Sequence, residues 1–523
     1  MFLVGGIGES GKKEAFLEQA KLPQLLERTA AQFSERPALA TGEGEYSYSE
    51  LHDSVGAVRS VLIAPTTDPD PLIGVMTGDD IGTYASILAI LAAGAGYVPI
   101  SRTYPASRIS QILDQAGIRR VLTSGEQPAL AEAVESSRIA VEILDVKGLD
   151  SKRAAVSFAE RSKDDIAYVF FTSGSTGKPK GVPITFRNLD AFFEVLLEGP
   201  AYQFSPDDRF LQMFSLTFDL SVMSLLAPLA VGGCCCVVPD SGIAWLQIVE
   251  TMRSQDVTVA LMVPSVLGYL ERYFKEIRLP KLRHSLFCGE ALPQGLVEGW
   301  SECVPNATIR NVYGPTEATI FCSSYDWSKE ASASEAYQGV VPIGKMYPGM
   351  EARLVGEDGL EAAEGEQGEL CVAGDQVMSG YFQDVERTEE AFVELGEGSD
   401  AARFYRTGDL CFRNEQGDLV YCGRLDSQVK VQGHRVELGE IEHFAREYVG
   451  HSFVAAILPQ AGGAAESIAL FVQGSDEELT GLKDLLRQKL PSYMVPREIR
   501  AVDEMPLNLN GKIDRLALRR RLE

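Results

Sequence analysis

Residues 165–185 read DIAYVFFTSGSTGKPKGVPIT, and the loop in the middle of this stretch sets the fold around it. DIAYVFF reads as a strand. Gly174, Gly177 and Gly181 let the backbone that follows bend and approach a ligand closely. Hydroxyls of Thr172, Ser173, Ser175 and Thr176 can donate to oxyanions, and Lys178 and Lys180 add positive charge. That is the chemistry of a nucleotide-phosphate clamp, yet the spacing is not the G-x-x-x-x-G-K-[ST] of a P-loop. Pro179 and Pro183 stop a helix from starting at once, because proline is excluded from helix interiors. The next helix begins near Thr185 and carries Leu189, Phe192, Phe193, Leu196 and Leu197 on one face. The loop thus lies between extended segments, with no helix dipole behind it. A plain Gly/Ser turn is the alternative.

Outward from the loop, strand-like and helix-like runs alternate. PLIGVM (71–76), RVLTS (120–124), FLQMF, CCCVVP, VTVALMVP and HSLFCG read as strands, and TYASILAILAAG (83–94) has helical apolar spacing. Such alternation implies α/β layers with much parallel sheet. The tail differs. LCFRNEQGDLVYCGR (410–424) is a hairpin turning at Asn414–Asp418, followed by QVKVQGHRVEL and a helix with Ile441, Phe444, Ala445 and Tyr448 on one face. SFVAAIL and IALFVQ read as strands and ELTGLKDLLRQKL as a helix. Together they make a small α+β unit of about 95 residues, an ordinary domain size. With the joint near Arg424-Leu425-Asp426, the chain divides into a large multi-layer α/β domain (1–425) and a small, mobile α+β domain (426–523).

Composition excludes several classes. Asp plus Glu number 74 against 48 Lys plus Arg, a net charge of -26. That field disfavours nucleic acid or an anionic membrane as partner, and makes a local basic cluster more telling. The nine cysteines, three consecutive at Cys234, Cys235 and Cys236, are odd in number and lack a C-x-x-C pair. They read as reduced core thiols. The longest apolar stretch, ASILAILAAGAGYVPI from Ala85, is broken by glycines and Pro99 and is too short to span a bilayer. The start, MFLVGGIGESGKK, has no basic segment ahead of its apolar residues, so a cytoplasmic protein without membrane insertion is expected. Gly6 to Lys13 there imitates a P-loop, but has Lys13 where Ser or Thr would hold magnesium and too few residues before it for a central strand.

The 172–181 loop resembles the phosphate loop of adenylate-forming enzymes, the superfamily of acyl-CoA synthetases, luciferases and peptide-synthetase adenylation domains. Further motifs of that superfamily follow in order: YSYSEL (46–51), LAAGAGYVP (91–99), FDLS (218–221), NVYGPTE (311–317), GELCVAGDQVMSGY (368–381), YRTGDL (405–410), GRLDSQVKVQGHRVELGEIE (423–442), LPSYMVP (490–496) and NGKIDR (510–515). Ser101 departs from the pattern, standing where peptide-synthetase domains commonly have Asp. The resemblance implies attack of a carboxylate on the α-phosphate of ATP, with pyrophosphate leaving and an acyl-adenylate remaining. Both reactants are anions, so charge must be neutralised and the groups aligned. By the matching motifs, Thr172, Ser173, Gly174, Ser175, Thr176, Gly177 and Lys180 would hold the β- and γ-phosphates. Tyr313 would stack on adenine beside Gly289, Asn311, Val312 and Gly314, Thr316 would bind the α-phosphate, and Glu317 would hold Mg²⁺. Asp409 would accept the ribose hydroxyls, with Tyr421 and Arg424 nearby. Lys512 of the small domain would be the central catalytic cation, bridging substrate carboxylate and α-phosphate.

Asp219 marks the substrate class, since in amino-acid-activating members the aspartate of this motif pairs with the α-ammonium. A helix cap is its structural alternative. The side-chain pocket carried over by the same motifs is Leu220, Met223, Leu261, Leu286, Cys288, Val312, Ile320 and Phe321. It is uncharged and mostly bulky, although core packing would account for the same residues. With FDLSVM, LFCGEALP and NVYGPTEAT it resembles that of the D-alanine ligases that charge a carrier protein for cell-envelope decoration, implying D-alanine, alanine or glycine. The resemblance also implies transfer to a phosphopantetheine thiol after the small domain turns about Asp426, bringing Gln428–Glu437 to the active site. No G-G-x-S or H-H-x-x-x-D-G motif is present, so a separate carrier protein is expected as acceptor. A CoA ligase for a small carboxylic acid, or a non-catalytic nucleotide-binding regulator on this scaffold, are the alternatives.

Overall fold

The computed structural model describes residues 22–62, 71–149, 158–159, 162–173, 178–240, 244–363, 365–396, 401–425, 428–431, 434–450, 454–457, 467–477, 479–506, 513 and 515–522. Two large sheets organise the first four hundred residues. The six-stranded sheet runs Glu142–Asp145, Arg120–Thr123, Leu72–Met76, Gly96–Ile100, Ile166–Thr172, Lys180–Thr185, parallel except for its last pair. In the nine-stranded sheet, Thr308–Tyr313, His284–Phe287, Val259–Met262, Arg209–Gln212, Cys234–Val237 and Pro37–Thr41 form a parallel centre with antiparallel strands at both edges. The strands Leu72–Met76 and Gly96–Ile100 are buried at every residue, as expected for parallel strands covered on both faces.

The helix joining those two strands, Ile81–Ala93, starts at Asp80, whose side chain accepts from Thr83 N, and ends at Gly94 with φ 86°. Its residues Thr83 to Ala92 are all buried, because one apolar cluster runs from Val75 through Ile87 and Leu91 to Leu226 and Cys235 of the other sheet. All nine cysteines are free and eight are buried, packing as small apolar residues. Burial pushes the Cys235 thiol up, which keeps it protonated. Ser101 Oγ accepts from Thr103 N at 3.2 Å, a role an aspartate could fill equally well, so this departure leaves the turn intact.

The loop between Thr172 and Lys180 joins antiparallel neighbours, and the following helix, Phe186–Glu198, is capped by Thr185. A five-stranded antiparallel sheet (Met350–Val355, Gly368–Gly374, Ala402–Arg413, Phe392–Leu395, Leu419–Arg424) completes the large domain, and contains the 410–424 hairpin. The small domain follows, with the two-stranded hairpin Gln428–Val431/His434–Glu437, a three-stranded sheet (Val454–Ile457, Ala469–Gln473, Glu498–Val502) and the helices Leu438–Val449 and Leu482–Lys489. Its own core joins Val436, Ile441, Ala445, Leu470, Leu486 and Met494. Two details correct the sequence reading. Tyr448 is 41% exposed rather than on the buried face, its hydroxyl donating to Thr480 O. The strand Glu498–Val502 was not foreseen, since EIRAV is short and half polar. Among the described residues, no helix is long and apolar enough to cross a membrane.

Candidate active site

A cleft opens at the carboxyl ends of the central parallel strands, where open α/β sheets generally bind ligands. Phe218, Asp219 and Leu220 enter it after the Arg209–Gln212 strand, Cys288 and Gly289 after His284–Phe287, and Tyr313 to Thr316 after Thr308–Tyr313. Ile320, Asp409, Arg424 and Val429 of the small-domain hairpin complete the lining. A second cavity shares Gly289, Tyr313 and Gly314, and adds Asn311, Val312, Val341 and Tyr421. The residues expected around adenine are therefore brought together.

The backbone of NVYGPTE leaves no choice at Gly314, where a Cβ would lie 2.4 Å from Phe321 Cα. After the 3₁₀ turn Thr316–Ala318, Thr319 and Ile320 adopt φ 57° and 73°, a conformation that costs a β-branched residue energy. It is held by Cys322 N donating to Tyr313 O at 2.8 Å, and by Gln376 Nε2 donating to Phe321 O at 3.0 Å. The strained turn presents Thr316 and Ile320 to the cleft.

Asp409, 4% exposed, is gripped at both oxygens: Tyr313 Oη donates to Oδ2 at 2.5 Å and Arg424 Nη1 to Oδ1 at 2.5 Å. Burial, and then the Asp409 charge, push the Tyr313 phenol well up, so it remains a protonated donor. Glu317 is fully buried and accepts from Tyr381 Oη at 2.8 Å. Lys180, 6% exposed, sets Nζ 3.7 Å from Glu317 and 3.5 Å from Glu437 of the small domain. Glu437 N also donates to Ser173 Oγ at 3.0 Å. Thr172 Oγ1 is buried with no hydrogen-bond partner.

These observations fit a nucleotide with magnesium. An orphaned hydroxyl and a buried lysine sit at the phosphate loop, with the Glu317 carboxylate 3.7 Å from that lysine. A lone carboxylate such as Glu317, with phosphates and water, is the donor set Mg²⁺ favours.

Asp219 occupies the N-cap position of the helix Leu220–Val231 but is αR and makes no cap hydrogen bond, so capping does not explain it. It is 4% exposed, and its charge is a cause, after burial, of the raised Tyr97 and Tyr168 phenols. Of the side-chain pocket carried over from the motifs, Leu220, Cys288 and Ile320 line the cleft. Met223, Leu261, Leu286 and Phe321 share the buried core with these three but are not among the lining residues of the cleft, and Val312 lines the second cavity. The motifs give register along each element but not depth, and the helix Leu220–Val231 is buried from Leu220 through Ala230. Residues missed from sequence are Phe218, Pro315 and Tyr381, while Val429 and Glu437 fall in the Gln428–Glu437 segment expected at the active site. All three fall within quoted motifs, but a motif does not say which of its side chains turn toward the cleft. Lys178 is exposed. Gly174 to Gly177, Asp426 and Lys512 lie outside the described residues.

The AMP-binding enzyme family matches residues 26–382. The chain belongs to that family: it is an adenylate-forming ligase of the amino-acid-activating kind. Zwittermicin A synthase ZmaJ of Bacillus cereus is 33% identical over 507 residues, which cover 95% of this chain and 94% of that one. Tyrocidine synthase 3 of Brevibacillus parabrevis is 34% identical over 503 residues, 95% of this chain, but the chain spans only 8% of that relative's length. Among solved structures, holo-PA1221, an NRPS protein containing adenylation and PCP domains bound to a vinylsulfonamide inhibitor, is 28% identical with a TM-score of 0.84, covering 96% of this chain and 84% of its own. The Vibrio cholerae adenylation domain AlmE, in complex with glycyl-adenosine-5'-phosphate, is 26% identical with a TM-score of 0.82, covering 96% and 98%.

Proposed function

We propose that this chain adenylates a small amino acid (D-alanine, alanine or glycine) with ATP and passes it to the phosphopantetheine thiol of a separate carrier protein in the cytoplasm. The observation that carries the reading is Asp219, a buried carboxylate that lines the cleft without a side-chain cap hydrogen bond, in the company of the apolar Leu220, Cys288 and Ile320. A substrate ammonium offsets the desolvation of such a carboxylate, which propionate or another simple acid cannot do.

In the first step the substrate carboxylate oxygen bonds to the α-phosphorus and the bond to the β-phosphate oxygen breaks. Thr172, Ser173 and Lys180, with the 174–177 loop, hold the departing pyrophosphate. Glu317 would hold Mg²⁺, which when bound would supply neutralisation of phosphate charge. Thr316 receives the α-phosphate, Tyr313 the adenine and Asp409 the ribose, while Lys512 bridges the reacting groups. In the second step the carrier thiol attacks the acyl carbon and AMP leaves. The docked hairpin suits this step, because Glu437 engages Lys180 and Ser173, two groups the pyrophosphate would otherwise use. A cavity of about 610 Å³ lined by Tyr84, Ser215, Trp245, Val263 and Tyr269 has room for an extended thiol arm. Val263 in its wall is 3.4 Å from where a Cβ on Gly289 of the cleft would stand.

The two steps are tested separately, as amino-acid-dependent ATP–pyrophosphate exchange and as acyl transfer to phosphopantetheine. Asp426→Pro fixes φ at the proposed hinge. It is expected to slow transfer far more than exchange. Equal loss of both would place the hinge elsewhere.

A further inference from the structure

Arg108 lies in the first turn of the helix Ala106–Ala116, whose Ile109, Ile112 and Leu113 pack into the large domain beneath the six-stranded sheet. Its guanidinium points away from that core and across the domain boundary. Nη1 donates to Glu440 Oε1 of the small-domain helix Leu438–Val449 at 2.5 Å. The two side chains are 3% and 0% exposed, the driest ion pair joining the two domains among the described residues. Beside it Ser107 Oγ donates to Gln488 O at 2.9 Å. Tyr493 of the small domain packs against the same large-domain cluster and stacks on His434, with ring centroids 3.9 Å apart. His434 in turn stands 5.6 Å from Phe218 at the cleft. The pair is therefore tied through a short aromatic chain to the hairpin that faces the active site.

Neither Arg108 nor Glu440 is among the residues that line the cleft or the second cavity. Charges this dry are tolerated only while each has its partner, and Arg108 Nε already lacks a hydrogen bond. When the small domain swings away, the partners separate and the penalty for an unpaired Arg108 is relieved by water. A defect in the pair therefore penalises one domain arrangement and spares the others. We propose that Arg108 and Glu440 are positioning residues that select the docked arrangement used for thiol transfer, acting on the second half-reaction alone. The inference rests on the two-step reading given under the proposed function.

The test is Glu440→Gln, an isosteric change that removes the charge, measured in three ways with alanine as substrate. Exchange is expected within twofold of the unmutated protein, and single-turnover transfer from preformed adenylate to phosphopantetheine to fall tenfold or more. Hydrogen–deuterium exchange in the first turn of Ala106–Ala116 is expected to rise. Arg108→Lys, which keeps the charge, should retain more transfer than Glu440→Gln. Transfer within twofold of the unmutated protein, or parallel loss of both half-reactions, would overturn the proposal. If the unmutated protein shows no amino-acid-dependent exchange, the proposed function fails. The positioning role is then decided by deuterium exchange, where unchanged protection at residues 106–110 in Glu440→Gln rejects it.

Discussion

Lys512→Ala is expected to lower amino-acid-dependent ATP–pyrophosphate exchange by roughly 10²–10³ while ATP still binds, the usual loss when one preorganised electrostatic group is removed. The reason is charge. A carboxylate approaching a triphosphate accumulates negative charge at the α-phosphate, and Lys180 already faces two carboxylates, Glu317 and Glu437, when the small domain is docked. A further cation is needed in the arrangement that performs the first step. The residues that follow the N-G-K run at 510–512 are anchored in the small domain: Ile513 packs with the Phe471 and Leu518 cluster, and Arg515 Nη2 donates to Glu442 at 2.6 Å. The cation would therefore travel with the domain. ATP affinity, measured by calorimetry, should change little, since most of the proposed nucleotide contacts lie in the large domain. Exchange within threefold of the unmutated protein would remove Lys512 from the mechanism.

Asp219→Ala is expected to raise the KM for the amino acid steeply and the KM for ATP far less. An ammonium left buried without its partner costs about 3–5 kcal/mol, on the order of 10²–10³-fold in affinity. The Asp219 side chain makes no cap hydrogen bond to its own helix, and its carbonyl, which accepts from Val222 N, is kept in the variant, so the first turn should not melt. Steady-state kinetics with each substrate varied in turn distinguish the cases. An equal rise in both KM values would mean that the cleft had collapsed, and that the carboxylate serves packing rather than recognition.

The parts legible in the sequence were those governed by local chemistry. Proline at 179 and 183 and the apolar spacing from Leu189 to Leu197 placed the loop between two strands and the helix after it, as found. Asn414 to Asp418 placed a hairpin, and the strands Ala402–Arg413 and Leu419–Arg424 meet there. What depends on distant packing was not legible. Tyr448 keeps helical spacing with Ile441 and Phe444, but turns to Thr480 instead of the core. Ile320 takes a positive φ only because Gln376 and Tyr313 hold its neighbours, and nothing in NVYGPTEAT announces that. The Asp409 carboxylate was foreseen as a ribose acceptor. Its grip depends on the strand register that sets Arg424 opposite Asp409 and on the packing of a second sheet, whose Tyr313 reaches it from 96 residues away. Which of the pocket residues reach the cleft was not legible either: Leu220 lines it, while Met223, Leu286 and Phe321, in the same buried cluster, are not among its lining residues.

The central claim, that a small amino acid is the substrate, is tested most directly by ATP–pyrophosphate exchange with glycine, L-alanine, D-alanine, leucine and propionate, compared as kcat/KM. Asp219 should demand the ammonium, and Leu220, Cys288 and Ile320 should leave room for little beyond a methyl group. Alanine or glycine is therefore expected to lead. Leucine should trail, because excess volume in a packed site costs roughly 1–3 kcal/mol, and propionate should be weakest of all. Preference for propionate over every amino acid would contradict the account and make a CoA ligase the better reading.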